Sequence, residues 1–317
     1  MNLLFDRLFT SNQGSRIFLS FSEQNKPLTY DKFLNELKCT ASLLKKLGLE
    51  KGDRLVLQIE KSHHVFTIYG ACVQLGVIFI PLNTSYTAIE VEYFLKDSEC
   101  KIFIATTKMM KDLESQVKKV SCKIETIDTD YSGSFFYNFD ENEPLEITEN
   151  QDEDDIAAIL YTSGTTGRSK GAMLSQKNLL SNALTLSKSW GFTESDVLLH
   201  ALPIYHTHGL FVATNIVLVS GSKIRFLKKF NEDDIIVNLP STTVMMGVPT
   251  FYTRLLANRK FNKEITKNMR LFISGSAPLL KETHEKFQYL TGHKILERYG
   301  MTETNMITSN PYNGERK

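Results

Sequence analysis

The sequence has little of what disulfide-rich, secreted or membrane-spanning proteins contain. Its four cysteines are scattered through 317 residues with no CxxC pair: Cys39, Cys72, Cys100 and Cys122. This spacing favours free thiols in a reducing compartment over a disulfide framework. Asp6 and Arg7 interrupt the apolar start of the chain, so no signal-peptide pattern is present there. We therefore expect a cytoplasmic location.

An excess of charge of one sign is also missing. The chain carries 37 lysines and arginines against 36 aspartates and glutamates, a formal net charge of +1. This balance provides no electrostatic attraction to a nucleic acid or to a membrane surface, so we expect neither as a partner. Hydrophobic residues make up 42% of the chain, which is enough for a large core and for two subdomains.

One uncharged run, VFTIYGACVQLGVIFIPL at residues 65–82, has about the length of a transmembrane helix. Gly76 ends the helical pattern and Pro81 closes a β-branched run, which divides the segment into two shorter elements. We predict a buried helix up to about Leu75, then a buried strand at 77–80, and no membrane span.

Helical and strand patterns alternate along the chain, and this alternation predicts the fold class. Before residue 140, strands are predicted at 55–59, 77–80, 102–105 and 123–127, and helices are predicted to end at Gly48 and Leu75 and to span 88–97 and 108–120. After residue 155, strands are predicted at 156–160, 197–201, 223–227, 243–246, 271–274 and 294–296, and a helix at about Gln176 with Ser175 as its N-cap. The pattern predicts an α/β protein with two stacked αβ subdomains, mostly parallel sheets and flanking helices.

An acidic stretch interrupts the alternation at residues 140–155. DENEPLEITENQDEDD contains nine acids, no base and one proline. Such a composition is typical of a solvated linker. We therefore predict a first αβ subdomain at 1–139 and a second at 156–317, with the nucleotide site on the second.

Residues 161–175 read YTSGTTGRSKGAMLS and concentrate small donors and cations after a predicted strand. Five hydroxyls, two glycines, Arg168 and Lys170 lie within residues 162–170, and no acid does. Glycines let backbone amides approach phosphate oxygens, hydroxyls add donors and the two cations oppose the negative charge. The spacing does not match the Walker A pattern. The loop suits a polyphosphate, and the alternative is an ordinary surface loop.

This loop resembles the phosphate-loop signature of the adenylate-forming superfamily, which includes acyl-CoA synthetases, luciferases and peptide-synthetase adenylation domains. Three further stretches resemble the same superfamily in the same order: LPIYHTHGL at 202–210, SGSAPL at 274–279 and ERYGMTET at 297–304. Within it, IYHTHGLF, MGVPTFYTRLL and ERYGMTETNM resemble the malonyl-CoA synthetase subgroup. The resemblance extends from about Leu28 to the end of the chain and implies the N-terminal portion of the adenylate-forming fold.

The resemblance implies an ATP-dependent acid–thiol ligase that uses Mg²⁺ and coenzyme A. In this family a carboxylate attacks the α-phosphate of ATP, pyrophosphate leaves, and coenzyme A then displaces AMP from the acyl-adenylate. Because two anions must meet, catalysis consists mostly of positioning and charge neutralisation.

The resemblance also implies roles for individual residues at the nucleotide. Residues expected at the β- and γ-phosphates are Thr162, Ser163, Gly164, Thr165, Thr166, Gly167 and Lys170. Tyr299 is expected to stack on adenine, Thr302 to contact the phosphate near the reacting centre, and Glu303 to bind Mg²⁺, with Thr166 as a second magnesium ligand. Further nucleotide contacts are expected from Ser276, Ala277, Glu297, Gly300 and Met301. The expected catalytic residues are His206, Lys170, Thr302 and Glu303.

Two histidines in PIYHTHG, His206 and His208, have alternative interpretations. A separation of two residues suits a metal, but no further Cys/His cluster accompanies them. The resemblance implies instead that this segment lies beside the acyl carboxylate, where an imidazole donates a hydrogen bond or gates access. We favour His206 as the catalytic histidine.

The expected acid substrate depends mainly on Arg298. Many relatives that take long or bulky acids have glycine at this position, whereas arginine shortens the pocket and adds a permanent charge. Burying that charge unpaired is costly, so a second carboxylate on the substrate is its natural partner. We expect malonate, with Arg168, His206, His208, Ser274 and Gly275 also at the substrate. The alternatives are that Arg298 pairs with a protein acid or that the substrate is a short or medium-chain monocarboxylic acid.

Members of the family continue beyond the point that corresponds to Lys317. The resemblance places an aspartate motif, a hinge, a β-barrel subdomain and a C-terminal lid with a catalytic lysine in that continuation. We therefore expect the present chain to complete the reaction poorly or not at all. A catalytically inactive remnant that binds nucleotide or a partner is the alternative from a different functional class.

Overall fold

Two compact units make up the chain. The computed structural model describes residues 1–11, 14–21, 26–128, 130, 132–162 and 167–316. The first unit comprises Met1–Ser11, Asp31–Leu179 and Ile204–His206; the second comprises Asn12–Tyr30, Leu180–Pro203 and Thr207–Lys317.

The strands alternate with helices along both units. The strands are β1 (Ile17–Phe21), β2 (Leu28–Thr29), β3 (Arg54–Gln58), β4 (Ile78–Pro81), β5 (Ile102–Ala105), β6 (Lys123–Thr126), β7 (Ile156–Thr162), β8 (Lys170–Ser175), β9 (Val197–His200), β10 (Lys223–Phe226), β11 (Val244–Gly247), β12 (Leu271–Ser274), β13 (Ile295–Met301) and β14 (Asn305–Ser309).

The helices vary from one turn to almost five turns in length. They are α1 (Leu3–Phe5), α2 (Tyr30–Lys46), α3 (His64–Leu75), α4 (Ala88–Asp97), α5 (Thr107–Asp112), α6 (Glu114–Val117), α7 (Gln176–Ser189), α8 (Asn215–Ser220), α9 (Glu232–Asn238), α10 (Pro249–Ala257), α11 (Lys263–Thr266) and α12 (Lys281–Thr291). Two π-helical segments, Asp6–Thr10 and His208–Thr214, and two 3₁₀ segments, Ser134–Asn138 and Leu239–Ser241, complete the set.

The first unit contains a mixed sheet in the order β6-β5-β3-β4-β7-β8. Neighbouring strands from β6 to β7 are parallel, and the β7–β8 pair at the edge is antiparallel. Buried side chains of Val56, Phe94 and Phe103 belong to one core cluster between this sheet and helix α4. The predicted α/β class with mostly parallel strands is confirmed for this unit.

The long uncharged run forms the two elements that its glycine and proline predict. Helix α3 ends at Gly76, whose φ of +67° is left-handed and suits glycine, and β4 follows as a buried strand. Within the described ranges, no helix combines the length and the apolar character that crossing a bilayer requires.

The second unit contains a sheet in the order β14-β13-β12-β11-β9-β10-β1-β2. Its central strands are parallel, and both edges, β13–β14 and β1–β2, are antiparallel. Three buried rings form the centre of one core cluster: Phe287 lies 4.9 Å from Phe272 and 5.5 Å from Tyr252 between ring centroids. This sheet also confirms the predicted fold class.

Several local predictions were wrong or incomplete. The single helix predicted at 108–120 is instead α5 followed by α6, because Leu113 leaves helical geometry at φ −99° and ψ 1° and buries its side chain. Strands β1, β2, β8 and β14 were not predicted. Residues of β8 lack a clean alternation of buried and exposed side chains, which is the signal that identifies strands in sequences.

The acidic stretch at 140–155 is held against helices α2 and α3 of the first unit by backbone hydrogen bonds. The amide of Leu145 donates to the carbonyl of Lys38 at 3.1 Å, and the amide of Glu149 donates to that of Gln74 at 2.9 Å. Lysines of α2 pair with several of its carboxylates. Strands β7 and β8 follow this stretch and join the sheet of the first unit, so the compact units differ from the predicted division at 139 and 156.

Asp196 connects the amino ends of three parallel strands in the second unit. Its carboxylate accepts from Nε of Arg270 at 2.6 Å, from Nη2 at 2.8 Å and from the hydroxyl of Thr243 at 2.8 Å. Burial alone would raise the pKa of Asp196, but these hydrogen bonds outweigh it and lower the pKa. The stabilisation is therefore complete at neutral pH and is lost as the pH falls through the lowered pKa.

Replacing Arg270 with methionine is expected to destabilise the protein by about 3 kcal/mol, because an unpaired buried carboxylate remains. The control is Lys118→Met, which breaks the exposed pair with Glu114 and is expected to cost about 0.5 kcal/mol or less. Urea unfolding of both variants at pH 7 measures the difference. Equal losses would contradict a structural role for the Asp196 pair.

Candidate functional site

The glycine- and hydroxyl-rich loop connects β7 to β8 in the first unit. Thr162 at the end of β7 pairs with Lys170 at the start of β8, so the loop closes a β-hairpin. Gly167 has a φ of +135°, a conformation that side chains disfavour. Ser163, Gly164, Thr165 and Thr166 lie outside the described residues. Of the predicted phosphate contacts, the structure therefore describes Thr162, Gly167 and Lys170.

Two tyrosines brace the described end of this loop. The hydroxyl of Tyr93 donates to the carbonyl of Ser169 at 2.9 Å, and the hydroxyl of Tyr161 donates to Asp97 at 2.7 Å. The guanidinium of Arg168 lies 5.6 Å from the centroid of the Tyr93 ring, within cation–π range. The loop therefore has a rigid stem.

The cations of the loop remain accessible to a ligand. Gly167, Arg168 and Lys170 are solvent exposed. Exposed lysine and arginine side chains beside a glycine can neutralise an anion without first breaking a buried ion pair. This arrangement suits an incoming polyphosphate.

The first histidine of PIYHTHG belongs to the first unit. His206 is solvent exposed, and its ring centroid lies 4.5 Å from that of Tyr205. Nearby protein atoms desolvate the imidazole and lower its pKa, although its exposure limits the size of the effect. The ring is therefore mainly neutral at pH 7 and can both donate and accept a hydrogen bond.

The second histidine belongs to the second unit and is buried. Nδ1 of His208 lies 3.4 Å from the hydroxyl oxygen of Ser276. Ser276 has a φ of +69°, which is uncommon for a residue with a side chain. Ser274, Gly275, Ser276 and Ala277 follow one another at the carboxyl end of β12, where ligands of parallel sheets are commonly bound.

The ERYGMTET segment forms the β13–β14 hairpin of the second unit. Tyr299 is 58% exposed and pairs with Thr308, and Met301 is 42% exposed and pairs with Asn305. A Cβ at Gly300 would lie 2.1 Å from the carbonyl oxygen of Asn305, so the close pairing of the hairpin requires glycine there. The exposed ring of Tyr299 is available for stacking.

Thr302 and Glu303 form the turn of this hairpin. Thr302 is half-buried and Glu303 is exposed. In the part of the chain that the structure describes, no group of three or more His, Cys, Asp or Glu side chains could hold a metal ion. A lone exposed carboxylate nevertheless fits Mg²⁺, which proteins commonly bind through one or two carboxylates plus substrate phosphates.

Arg298 is the most unusual side chain of the second unit. It is only 5% exposed, and burial lowers the pKa of its guanidinium to about 10, so it stays cationic at pH 7. Across the described ranges of the chain, neither Nε nor Nη2 has a hydrogen-bond partner. Buried charged groups are normally paired, so this guanidinium is suited to an anion from outside the protein.

Glu297, the acid adjacent to Arg298 in sequence, is already occupied. One carboxylate oxygen accepts from the amide of Leu279 at 3.0 Å, and the other accepts from Nε of Arg316 at 2.8 Å. Successive side chains of a strand point to opposite faces, so Glu297 and Arg298 diverge. Glu297 was predicted at the nucleotide, whereas its described contacts are within the protein.

The structure also contains site residues that the sequence did not suggest. Tyr93 and Asp97 brace the phosphate-type loop, the charge of Arg298 acts on the buried hydroxyl of Tyr252, and Arg316 binds Glu297. Tyr93 and Asp97 are four positions apart on α4, a helical spacing that could have suggested a shared face. Tyr252 lies within the MGVPTFYTRLL stretch, whereas nothing in the sequence connects Arg316 to the site.

Comparisons with known proteins agree with one another. The AMP-binding enzyme family matches residues 8–317. The chain is similar to the malonate–CoA ligase of Arabidopsis thaliana, with 33% identity over 264 residues that cover 76% of this chain and 43% of that protein. It is similar to the mitochondrial malonate–CoA ligase of Xenopus laevis, with 34% identity over 262 residues that cover 76% of this chain and 44% of the relative.

Solved structures give the same picture. ATP-bound MatB from Rhodopseudomonas palustris has a TM-score of 0.94 and 47% identity, covering 99% of this chain and 63% of MatB. A malonyl-CoA ligase complex with methylmalonyl-CoA and AMP has a TM-score of 0.82 and 28% identity, covering 99% of this chain and 64% of that chain. The chain thus spans less than two thirds of the length of each of these proteins.

Replacing Tyr93 with phenylalanine is expected to loosen the phosphate-type loop, because Ser169 loses its hydroxyl donor. Amide exchange in residues 167–171 should accelerate by roughly two- to tenfold, as the loss of a hydrogen bond of about 1 kcal/mol implies. Hydrogen–deuterium exchange mass spectrometry measures the change. Tyr137→Phe, at an exposed tyrosine, is the control. Unchanged exchange in the Tyr93 variant would show that the hydroxyl does not brace the loop.

Proposed function

The chain belongs to the AMP-binding enzyme family, and on this premise we propose that it carries the nucleotide- and acyl-binding part of an ATP-dependent malonate–CoA ligase. The proposed reaction is acid–thiol ligation through an adenylate, and the proposed acid is malonate. The reaction is supported by the family match and by the ligase names of the relatives. Malonate as the acid is supported mainly by the side chain of Arg298.

The proposed reaction has two balanced steps. A carboxylate oxygen attacks the α-phosphorus of ATP, the bond to the β-phosphate oxygen breaks, and acyl-adenylate and pyrophosphate form. The thiol sulfur of coenzyme A then attacks the acyl carbon, AMP leaves with the bonding electron pair, and the thiol loses its proton. The protein's contribution is to bring mutually repelling anions together and to neutralise them.

The observation that carries the malonate proposal is the unsatisfied guanidinium of Arg298. A buried guanidinium without an acidic partner costs several kcal/mol, and a carboxylate can recover this through two parallel hydrogen bonds. The remote carboxylate of a short dicarboxylic acid supplies such a partner, whereas the alkyl end of a monocarboxylic acid does not. The alternative in which Arg298 pairs with a protein acid has no support, since Glu297 already binds Arg316.

Ser274 adds a second unsatisfied donor at the same strand ends. Its hydroxyl is fully buried and has no hydrogen-bond partner among the residues that the structure describes. Ser274 pairs with Glu297 across β12 and β13, one position before Arg298. The alternation of side chains places Ser274 on the face of Glu297 rather than on that of Arg298, so its position at the substrate stays a prediction.

The nucleotide roles proposed for the loop and the hairpin follow from exposure and charge. Arg168 and Lys170 would neutralise the β- and γ-phosphates, and Tyr299 would stack on the adenine ring. Thr302 would donate to an oxygen near the reacting phosphate. His206 would donate a hydrogen bond to the substrate carboxylate, for which its neutral imidazole is suited.

Glu303 is the described residue proposed to hold Mg²⁺, with Thr166 as its expected companion. When bound with the nucleotide, the ion supplies positive charge that offsets the repulsion between phosphate oxygens. The exposed position of Glu303 in a turn leaves its carboxylate free to reach such an ion without unfolding a strand.

Because the relatives are longer, the activity of the whole enzyme stays a proposal. The alternative hypothesis is an inactive remnant that binds nucleotide but no acid. A measurement of malonate binding distinguishes this remnant from a ligase. Coenzyme A as co-substrate is supported by the names of the relatives. The cytoplasmic location stays a prediction, and the Xenopus laevis relative is described as mitochondrial.

Replacing Arg298 with glycine is expected to weaken malonate binding by roughly tenfold or more, because a charged hydrogen bond is worth about 1.5–3 kcal/mol. Propionate, which lacks the second carboxylate, should bind the variant at least as well as the parent. Isothermal titration calorimetry with a non-hydrolysable ATP analogue present measures both acids.

The control for this experiment is Arg259→Gly, which removes an exposed arginine of the same unit. Its affinity for malonate should be unchanged. If Arg298→Gly also binds malonate as the parent does, the dicarboxylate assignment is wrong. If the parent binds ATP but no acid, the nucleotide-binding remnant is the better description.

Replacing Lys170 with alanine is expected to weaken ATP binding by roughly tenfold, because a phosphate loses a charged donor. The matched control is Lys118→Ala at another exposed lysine of the first unit. Titration with ATP and Mg²⁺ measures the dissociation constants, and raising the salt concentration should shrink the difference between the variants. Equal ATP affinity in all three proteins would contradict a phosphate role for the loop.

A further inference from the structure

The guanidinium of Arg298 occupies the space that a side chain at position 275 would fill. A Cβ atom built on Gly275 would lie 2.2 Å from Cζ of Arg298 and 2.5 Å from both Nε and Nη1. Non-bonded carbon atoms prefer separations of about 3.5–4.0 Å, so such contacts are not tolerated. The guanidinium can lie where it does only because residue 275 is glycine.

The register of two parallel strands brings the two residues together. Ser274 on β12 pairs with Glu297 on β13, so the next residues along the chain, Gly275 and Arg298, are neighbours across the strands. The amide of Gly275 donates to the carbonyl of Gly247 at 3.3 Å, which ties its backbone to β11 on the other side. Gly275 directly follows β12, and this hydrogen bond ties its backbone to the sheet.

Packing, rather than hydrogen bonding, sets the position of the guanidinium. Neither Nε nor Nη2 of Arg298 is hydrogen-bonded to any residue in the described ranges. The guanidinium therefore lies in a slot, the space beside Gly275 that a side chain at position 275 would fill.

We propose that Gly275 is a specificity-determining positioning residue that leaves the slot in which Arg298 lies. The inference rests on the proposed function, because it takes Arg298 as the group that binds the second carboxylate of the acid. With any larger residue at position 275, the guanidinium must withdraw or rotate, and its free nitrogens no longer face the same space. Preference for a dicarboxylic acid is then a property of the Gly275–Arg298 pair rather than of the arginine alone.

A double-mutant cycle tests the pair. Gly275→Ala, Arg298→Gly and the double variant are titrated with malonate and with propionate, with a non-hydrolysable ATP analogue present. We expect Gly275→Ala to weaken malonate roughly tenfold while propionate changes by less than about twofold. In the Arg298→Gly background, Gly275→Ala should leave the malonate affinity almost unchanged, because there is no guanidinium left to displace.

The matched control is Gly247→Ala, which adds a methyl group at the end of the neighbouring strand. The three atoms nearest to its Cβ would be Cδ2 and Cβ of Phe251, at 3.1 and 3.4 Å, and Cε2 of Tyr252 at 3.4 Å, none of which belongs to Arg298. We expect it to leave the ratio of malonate to propionate affinity unchanged. A ratio that falls as much in Gly247→Ala as in Gly275→Ala would contradict a specific role for the slot.

Thermal unfolding gives a second readout that needs no ligand. Gly275→Ala should lower the melting temperature, and the Gly275→Ala/Arg298→Gly double variant should recover most of that loss relative to Arg298→Gly alone. If the single variant does not fold and the double variant does, the clash is demonstrated directly. If neither folds, residue 275 needs glycine for another reason and the inference is overturned.

The outcomes separate this inference from the proposed function. If Arg298→Gly leaves malonate affinity intact, the dicarboxylate assignment fails, whatever Gly275 does. If Arg298→Gly abolishes malonate binding but Gly275→Ala does not, the assignment stands and the slot fails. If Gly275→Ala is equally costly in both backgrounds, Gly275 acts on the acid directly and not through the arginine.

Discussion

The candidate acid site depends on a buried positive charge, the guanidinium of Arg298, that the described residues leave partly without hydrogen bonds. Arg298 is held inside the second unit by packing against Gly275, while two of its nitrogens lack a hydrogen-bond partner in the described chain. A protein that needed only stability would place an apolar side chain here or pair the arginine with an acid. Burying the guanidinium without hydrogen bonds destabilises the fold, and an anion that binds Arg298 would remove this destabilisation.

The surrounding structure keeps this charge unsatisfied. Glu297, the nearest acid in sequence, is engaged by Arg316 and by the amide of Leu279. The alternation of side chains along β13 directs Glu297 and Arg298 to opposite faces. At the other end of the same sheet, by contrast, Asp196 and Arg270 satisfy one another fully and stabilise the strand starts. An acid and an arginine thus stabilise the amino ends of the sheet, whereas Arg298 at the carboxyl ends is proposed to bind the substrate.

The first unit carries two cations, Arg168 and Lys170, on an accessible loop. Tyr93 and Tyr161 fix the stem of the hairpin, while Arg168 and Lys170 remain exposed beyond it. A strand-to-strand hairpin, rather than the strand-to-helix loop that the sequence favoured, carries these residues. The difference matters physically, because the antiparallel pair β7–β8 holds both ends of the loop with ladder hydrogen bonds.

The amino-acid sequence by itself determined the α/β class, most central strands, the helix-then-strand character of residues 65–82 and the four family motifs, because periodicity and short motifs are local properties. It did not determine β1 or the edge strands β2, β8 and β14, whose partners are distant in sequence or whose patterns are weak. Only the tertiary structure decided that Nε and Nη2 of Arg298 have no hydrogen-bond partner among the described residues and that Gly275 makes room for the guanidinium. Both facts depend on the register of β12 against β13, a relation between residues more than twenty positions apart that no local pattern encodes.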